Sequence, residues 1–274
     1  GPGSGKLAAS VLQELAHLDA LPRYYYLLEP SPSLRALQAQ TLSQLPPALA
    51  RRLVWLERLP TQLRGVILAN EVLDALPVEL FEVAKDGWRR GYVVTQHDRL
   101  HLAYQPDPDP AFQAYCTQLA ALQTWPTGYR SEFAPQLPAW MATVAELLEA
   151  GMLVISDYGD TGPERYHPSR SQGTLRAYTR QQLSTDVLAQ PGAQDLTADV
   201  DFSAVLHAAQ TAGLSIAYYG TQARFLLQHG LLERLQRHDP QDTVRYLQLA
   251  QQVKTLLLPD EMGERFKVAW LSRD

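Results

Sequence analysis

The apolar positions of this chain fall into short buried runs separated by stretches of helical spacing, the pattern of strands and helices taking turns. Leu7, Val11, Leu12, Leu15 and Leu18 recur at three- and four-residue steps, which predicts a helix opening at the glycine turn of residues 1–5 and ending near Leu21-Pro22. Residues 24–28 are an apolar run closing in Glu29-Pro30, a buried strand followed by a turn, and Ser33 is placed to cap a helix reaching Leu42. Residues 53–56 and 65–69 predict two further strands, the second running into Asn70-Glu71. The pattern changes at residues 79–95, where the runs 80–83 and 92–94 flank Asp86-Gly87, a dipeptide typical of tight hairpins. Residues 105–140 hold many prolines and a helix around 111–123, and read as an irregular cover. A helix near 138–150 leads into M-L-V-I-S-D (152–157), the strongest buried-strand signal in the chain. Residues 160–199 are polar with little periodicity, as in a lid or substrate loop. A helix over 202–212, a strand over 214–219, helices over 221–256 and a strand over 265–271 complete the pattern.

This rhythm predicts an α/β fold, a mostly parallel sheet with helices on both faces, formed by residues 1–274 as one domain. Insertions are expected at about 78–140, a hairpin with a helical cover, and at about 160–199, the lid. The strand that should lead into the glycine turn is expected before Gly1, outside this chain. Residues 1–4, G-P-G-S, match the scar left by tag cleavage, yet they run without a break into Gly5-Lys6-Leu7-Ala8, which favours one native unit.

Composition narrows the function classes. With 274 residues, 46% hydrophobic and 19% charged, the chain has material for a substantial core. A net charge of −5 without any long like-charge block gives no reason to expect a nucleic-acid partner. No apolar run approaches the roughly 20 residues of a membrane span, so none is expected. A single cysteine, Cys116, makes no intrachain disulfide, and no Cys/His cluster has metal-ligand spacing, so no metal is expected. These features, with no targeting peptide visible at the start, point to a reducing cytoplasm, expected to be that of a bacterium. The seven histidines are scattered, and neither Ser10 nor Cys116 has a base beside it in sequence, so no nucleophile is assigned.

Chemistry concentrates at strand ends. Glycines at 1, 3 and 5 before a helix allow close backbone approach to a ligand, and the helix N-terminus favours a polar or anionic head. The G-x-G-x-G spacing lacks the later glycine of dinucleotide-binding proteins, which disfavours a nicotinamide dehydrogenase and suits a nucleoside carrying a methionine moiety. Glu29, 24 residues after Gly5 at the end of the next strand, is placed to accept ribose hydroxyls, and Glu57 to reach an adenine by the same logic. Asn70, Glu71 and Asp74 lie where an open parallel sheet meets its ligand crevice. If the chain after Asn70 turns helical, Glu71 and Asp74 share a face and can hold one cation.

On these residues the chain resembles the MidA family of S-adenosylmethionine-dependent methyltransferases, relatives of the mitochondrial complex I assembly protein-arginine methyltransferase. The resemblance rests on G-P-G-S-G-K-L-A (1–8), Y-Y-L-L-E-P-S-P-S-L-R (25–35), N-E-V-L-D-A-L-P-V (70–78) and D-Y-G (157–159). Four later stretches add to it: G-T-L-R-A-Y (173–178), D-L-T-A-D-V-D-F (195–202), T-Q-A-R-F-L (221–226) and M-G-E-R-F-K-V (262–268). It implies a Rossmann-like class I methyltransferase with S-adenosylmethionine as cofactor. Gly1, Gly3, Gly5 and Glu29, joined by Glu57 and Asn70, would contact the cofactor. Glu71, Asp74 and Asp157 would be the catalytic residues of the acceptor crevice, and Tyr158, Thr174, Arg176 and Tyr178 would bind substrate. The family often carries histidine where Gln181 and Asp199 align, so a histidine base is not expected at either place.

The resemblance also implies a protein substrate, of the respiratory complex I subunit type, methylated on arginine. Methyl transfer is an in-line displacement that depends on positioning, with Glu71 and Asp74 forking to a guanidinium and Asp157 a candidate proton acceptor. The alternative is a non-catalytic Rossmann-like module for cofactor binding or protein interaction.

Overall fold

The computed structural model describes residues 1–179, 182–239 and 241–274. The chain divides into two compact units, one of Gly1–Arg64 with Leu147–Glu149, the other of Gly65–Glu146 with Ala150–Asp274.

In the first unit, α1 (Lys6–His17) begins at Gly5, followed by β1 (Tyr25–Leu28), α2 (Pro32–Leu42), α3 (Pro47–Ala50) and β2 (Leu53–Leu56). The two strands pair in parallel from Tyr25↔Leu53 to Leu28↔Leu56. The apolar faces of the helices close over them, with Ala8, Leu12, Leu27, Leu42, Leu45 and Leu49 forming a buried cluster. Helix α2 starts earlier than its expected cap. Ser31, not Ser33, is the N-cap and accepts from Leu34 N–H, because Pro32 already supplies the fixed φ of the first helical position. Ser33 Oγ instead bonds Ser31 Oγ at 2.9 Å.

The second unit continues β3 (Leu63–Asn70) into an antiparallel sheet of β4 (Glu79–Ala84), β5 (Gly87–Gln96) and β6 (Arg99–Gln105). Next come α4 (Pro110–Ala120), β7 (Arg130–Phe133), α5 (Leu137–Leu147) and the long β8 (Leu148–Asp160). Beyond it lie α6 (Gly162–Arg165), β9 (Arg176–Thr179), β10 (Gln182–Ser184), β11 (Asp195–Thr197), β12 (Val200–Asp201) and α7 (Phe202–Thr211). Strand β13 (Ser215–Thr221), helices α8 (Gln222–Gln228), α9 (Leu231–Gln236) and α10 (Thr243–Leu257), and β14 (Phe266–Arg273) end the chain.

The main sheet has the order β12-β8-β14-β13, with β3 also on β8. It is mixed: β12 runs parallel to β8, whereas β14 runs antiparallel to both β8 and β13. Strand β8 buries Leu153, Ile155 and Asp157, two residues apart and therefore on one face, so strand periodicity alone carries a carboxylate inside. At the other end of β8, a Cβ on Gly151 would lie 1.9 Å from the Gly65 carbonyl oxygen, and both glycines have positive φ.

The hairpin sheet has the order β6-β5-β4-β7. Its first turn is shifted by one residue from Asp86-Gly87: Ala84 pairs with Gly87, leaving Lys85-Asp86 as the loop. The next turn is His97-Asp98, both at positive φ (51° and 58°), as a two-residue type I′ connection requires. Strand β7 turns part of the expected irregular cover into a paired edge, from Glu79↔Phe133 to Glu82↔Arg130. This sheet has its own aromatic core, Phe81, Phe112, Tyr129, Phe133 and Tyr166 with Cys116 and Leu119. Tyr115 stacks on Phe133 with centroids 3.7 Å apart. The polar segment 160–199 is not structureless, since it contains α6 and a three-stranded antiparallel sheet in the order β10-β9-β11.

Candidate functional site

Two constellations of polar groups stand out, one in each unit. In the first, the glycine turn is closed by Gly5 N–H donating to the Pro2 carbonyl at 2.9 Å. Gly3 (φ 51°) and Gly5 (φ 84°) both lie in the left-handed region. Gly5 is doubly constrained, because a Cβ there would meet Leu42 Cγ at 3.3 Å. Gly1 has no such demand, with nothing within 4 Å of an added Cβ. Gly5 also offers α1 no side-chain cap, so the N–H groups of its first turn keep the character of an anion or polar-group site.

Glu29 follows β1 and is 7% exposed. Its Oε1 accepts from Ser31 N–H at 2.9 Å and its Oε2 from Gln38 Nε2 at 3.2 Å. A carboxylate oxygen has about two acceptor positions, so one on each oxygen remains, a match for a vicinal diol. Gln38 is fully buried on α2; its Nε2 also donates to the Gly3 carbonyl at 2.9 Å, and its Oε1 accepts from Trp55 Nε1 at 3.1 Å. Glu57 stands exposed directly after β2. The Cβ-free turn, the uncapped helix start and the half-satisfied carboxylate fit a nucleoside that carries a polar amino-acid head.

In the second unit, the chain after Asn70 does not turn helical. Glu71 takes φ 47°, with its N–H on the Ser156 carbonyl, and Asn70 Nδ2 donates to Glu71 Oε1 at 3.2 Å. The following N–H groups, Val72 (3.2 Å), Leu73 (2.9 Å) and Asp74 (3.3 Å), all converge on Asp157 Oδ2, and Tyr158 N–H donates to Oδ1 at 3.0 Å. Asp157 thus fills a backbone nest and fixes the shape of the turn. Burial and the neighbouring Asp74 carboxylate nevertheless push it up to about 7, against the pull of those N–H donors.

Asp74 is 6% exposed, and its Oδ2 accepts a hydrogen bond from the Tyr158 hydroxyl. Its Oδ1 is buried with no hydrogen-bond partner among the described residues. The Tyr158 hydroxyl is pushed up by burial and by that bond to Asp74. Over the Tyr158 ring lies the Arg176 guanidinium, 4.9 Å from the centroid, with Nη2 on Asp199 Oδ1 at 2.8 Å.

The segment 160–199 is tied down by a buried ion pair that its sequence does not advertise. Arg165 (1% exposed) donates through Nη2 to Glu132 (2% exposed) and through Nε to the Asp199 carbonyl at 3.1 Å. Glu132 also accepts from Thr174 N–H at 3.0 Å and from Thr174 Oγ1 at 2.6 Å, while Thr174 Oγ1 accepts from Asp199 N–H at 2.8 Å. Of the residues expected to bind substrate, Thr174 is therefore engaged in holding the segment, Arg176 pairs with Asp199 beside Tyr158, and Tyr178 sits mid-strand opposite Leu183 and Asp195. Gln181 lies outside the described residues. Asp199 salt-bridges Arg170 and Arg176.

Gln38, Glu132 and Arg165 were not legible as site residues. Gln38 had one signal, an amide four residues before Leu42 on the buried face of α2, where an apolar residue is the default. Among the described residues no group of His, Cys, Asp and Glu could hold a metal ion, and no helix is long and apolar enough to cross a membrane.

An α/β scaffold and a glycine turn that fits a nucleoside define a class of nucleoside-cofactor-binding proteins. Residues 1–220 match the family described as "Putative S-adenosyl-L-methionine-dependent methyltransferase", and the chain belongs to that family. It is 30% identical over 299 residues to the mitochondrial protein arginine methyltransferase NDUFAF7 of Rattus norvegicus, covering 97% of this chain and 64% of that protein. Against the Homo sapiens protein of the same name it is 29% identical over 296 residues, covering 97% and 63%. The chain thus spans less than two thirds of the length of these curated relatives. A Burkholderia thailandensis protein solved bound to S-adenosyl-homocysteine superposes with a TM-score of 0.94 at 38% identity, covering 100% of this chain and 70% of that one. The fold is accordingly the Rossmann-like methyltransferase fold, and the cofactor of the family is S-adenosylmethionine.

Proposed function

We propose that this chain methylates an arginine side chain of a partner protein, with S-adenosylmethionine as methyl donor. The observation that carries the acceptor class is Asp74, a buried carboxylate with one oxygen held by Tyr158 and the other without a partner among the described residues. A buried unpaired acceptor is costly, and a cationic donor such as a guanidinium nitrogen satisfies it. The names of the relatives, protein arginine methyltransferases, support the same choice.

The cofactor supplies an electrophilic methyl group when bound. On this chain, the backbone of Gly1, Gly3 and Gly5 would receive its amino-acid head, Glu29 its ribose hydroxyls and Glu57 its adenine. Asp74 Oδ1 takes one guanidinium nitrogen and then the proton that leaves as the acceptor is methylated. Glu71, exposed on the same turn, is the outer carboxylate that steers the cation. Asp157 acts one step back, holding the turn through its nest, and Tyr158 orients Asp74. Arg176 and Tyr178 lie on the segment that binds the protein substrate, and Thr174 anchors it. The partner is a cytoplasmic bacterial protein of the respiratory complex I subunit type.

The test is transfer of labelled methyl groups to bacterial proteins, followed by acid hydrolysis and separation of methylated amino acids. Label is expected in methylarginine, and Asp74→Asn should lower kcat/KM by about 10² or more, the scale for losing a positioning group. Label confined to other amino acids, or Asp74→Asn at wild-type rate, would overturn the assignment.

A further inference from the structure

The first unit contains a fully buried amide to which no role has been attached. Gln38 touches three separated pieces of chain: the Gly3 carbonyl of the glycine turn, the Glu29 carboxylate after β1, and the Trp55 indole on β2. The amide has one orientation only. Trp55 Nε1 can only donate, so it must face Oε1, while the carbonyl and the carboxylate can only accept, so both must face Nε2. No other side chain of this size offers donors and an acceptor in that arrangement. A glutamate would set two carboxylates against each other, and an apolar residue would strand the indole N–H and the Gly3 carbonyl without partners.

We infer that Gln38 is the positioning residue for the cofactor, locking the glycine turn to the ribose-binding carboxylate so that both are in place before the ligand arrives. This rests on the methyltransferase reading above and adds a determinant of cofactor affinity. The bond from Nε2 to Oε2 also selects which acceptor positions of Glu29 remain for the two hydroxyls. A site set in advance loses less order on binding, so the contribution appears in affinity and not in the transfer step.

The experiment is calorimetry of S-adenosylhomocysteine with the intact chain and the variants Gln38→Met, Gln38→Glu, Glu29→Gln and the double variant Gln38→Met with Glu29→Gln, together with KM and kcat for methyl transfer. Gln38→Met should weaken binding about 10-fold or more, the loss of a hydrogen bond to a charged group, raising KM for the cofactor with kcat at saturation little changed. Gln38→Glu, of matching size, should do no better. In the Glu29→Gln background the Gln38→Met loss should shrink, because the carboxylate it orients is gone. Trp55→Phe, a milder change that frees the amide to rotate, should weaken binding less than Gln38→Met but in the same direction. Unchanged affinity in Gln38→Met, or losses that simply add in the double variant, would overturn the inference while leaving the cofactor reading intact. Failure of the unaltered chain to take up S-adenosylhomocysteine would remove both.

Discussion

Replacing Glu132 by glutamine changes one atom type at the centre of the buried network and leaves its volume alone. Glu132 accepts from Arg165 Nη2, from Thr174 N–H and from Thr174 Oγ1, and both ends of the ion pair are almost inaccessible to water. Glutamine keeps one acceptor oxygen and turns the other into an NH2 group facing donors, so Arg165 is left charged and under-compensated in the interior. Breaking a buried pair from one side costs about 3–5 kcal/mol, far more than the pair contributes over an apolar replacement. For a unit of this size each kcal/mol lowers Tm by roughly 2–4 °C, so Glu132→Gln should melt about 10 °C below the parent. Arg165→Met should do similar damage. The double variant Glu132→Gln with Arg165→Met should recover about 1 kcal/mol or more relative to the sum of its parts, having no stranded charge. Urea denaturation of the four proteins gives the coupling directly. A loss under about 1 kcal/mol in Glu132→Gln, or strict additivity, would show that the network does not hold segment 160–199 in the way described.

Three further outcomes follow from local geometry. Gly5→Ala combines a left-handed φ with a 3.3 Å contact to Leu42, and should cost about 1–2 kcal/mol in denaturant titration while weakening cofactor uptake. Asp157 rises to about 7 in the folded protein against roughly 3.9 for an unperturbed aspartate, so the folded state binds the extra proton. That stabilisation is fully present below about pH 4 and is lost as pH rises through about 7. Asp157→Asn should flatten this part of the stability profile measured by thermal melts across pH. At the β5–β6 turn, His97→Asn with Asp98→Gly suits the positive φ values better and should stabilise by up to about 1 kcal/mol; a loss would show that the turn is not type I′.

The sequence made some parts of this molecule plain and hid others for identifiable reasons. Strands β1, β2, β3 and β8 were readable because each holds a short apolar run followed by a polar residue, and α1, α4 and α7 because their apolar residues repeat every three or four positions. Strand β7, R-S-E-F, was hidden because two of its buried residues, Ser131 and Glu132, are polar and find their partners 33 to 42 residues ahead. Strands β9 to β11 are too short for a period to show. The start of α2 was misplaced by two residues because two serines flank Pro32 and the proline decides between them. For the site, Glu29 and Asp74 could be placed by strand-end position alone. The engagement of Asp157 with three successive N–H groups could not, since it depends on Glu71 adopting a left-handed backbone rather than a helical one.

The paired glycines at the opposite end of β8 have a consequence for that turn. Gly65 and Gly151 meet backbone against backbone, so even one methyl group on residue 151 must displace β3 at Gly65. Strand β3 delivers Asn70 and Glu71 directly into the bend that Asp157 clasps. Variants at residue 151 should therefore lower stability and activity together, although they are remote from the bend. Random mutagenesis scored by activity alone would then misread this distant position as part of the reaction centre.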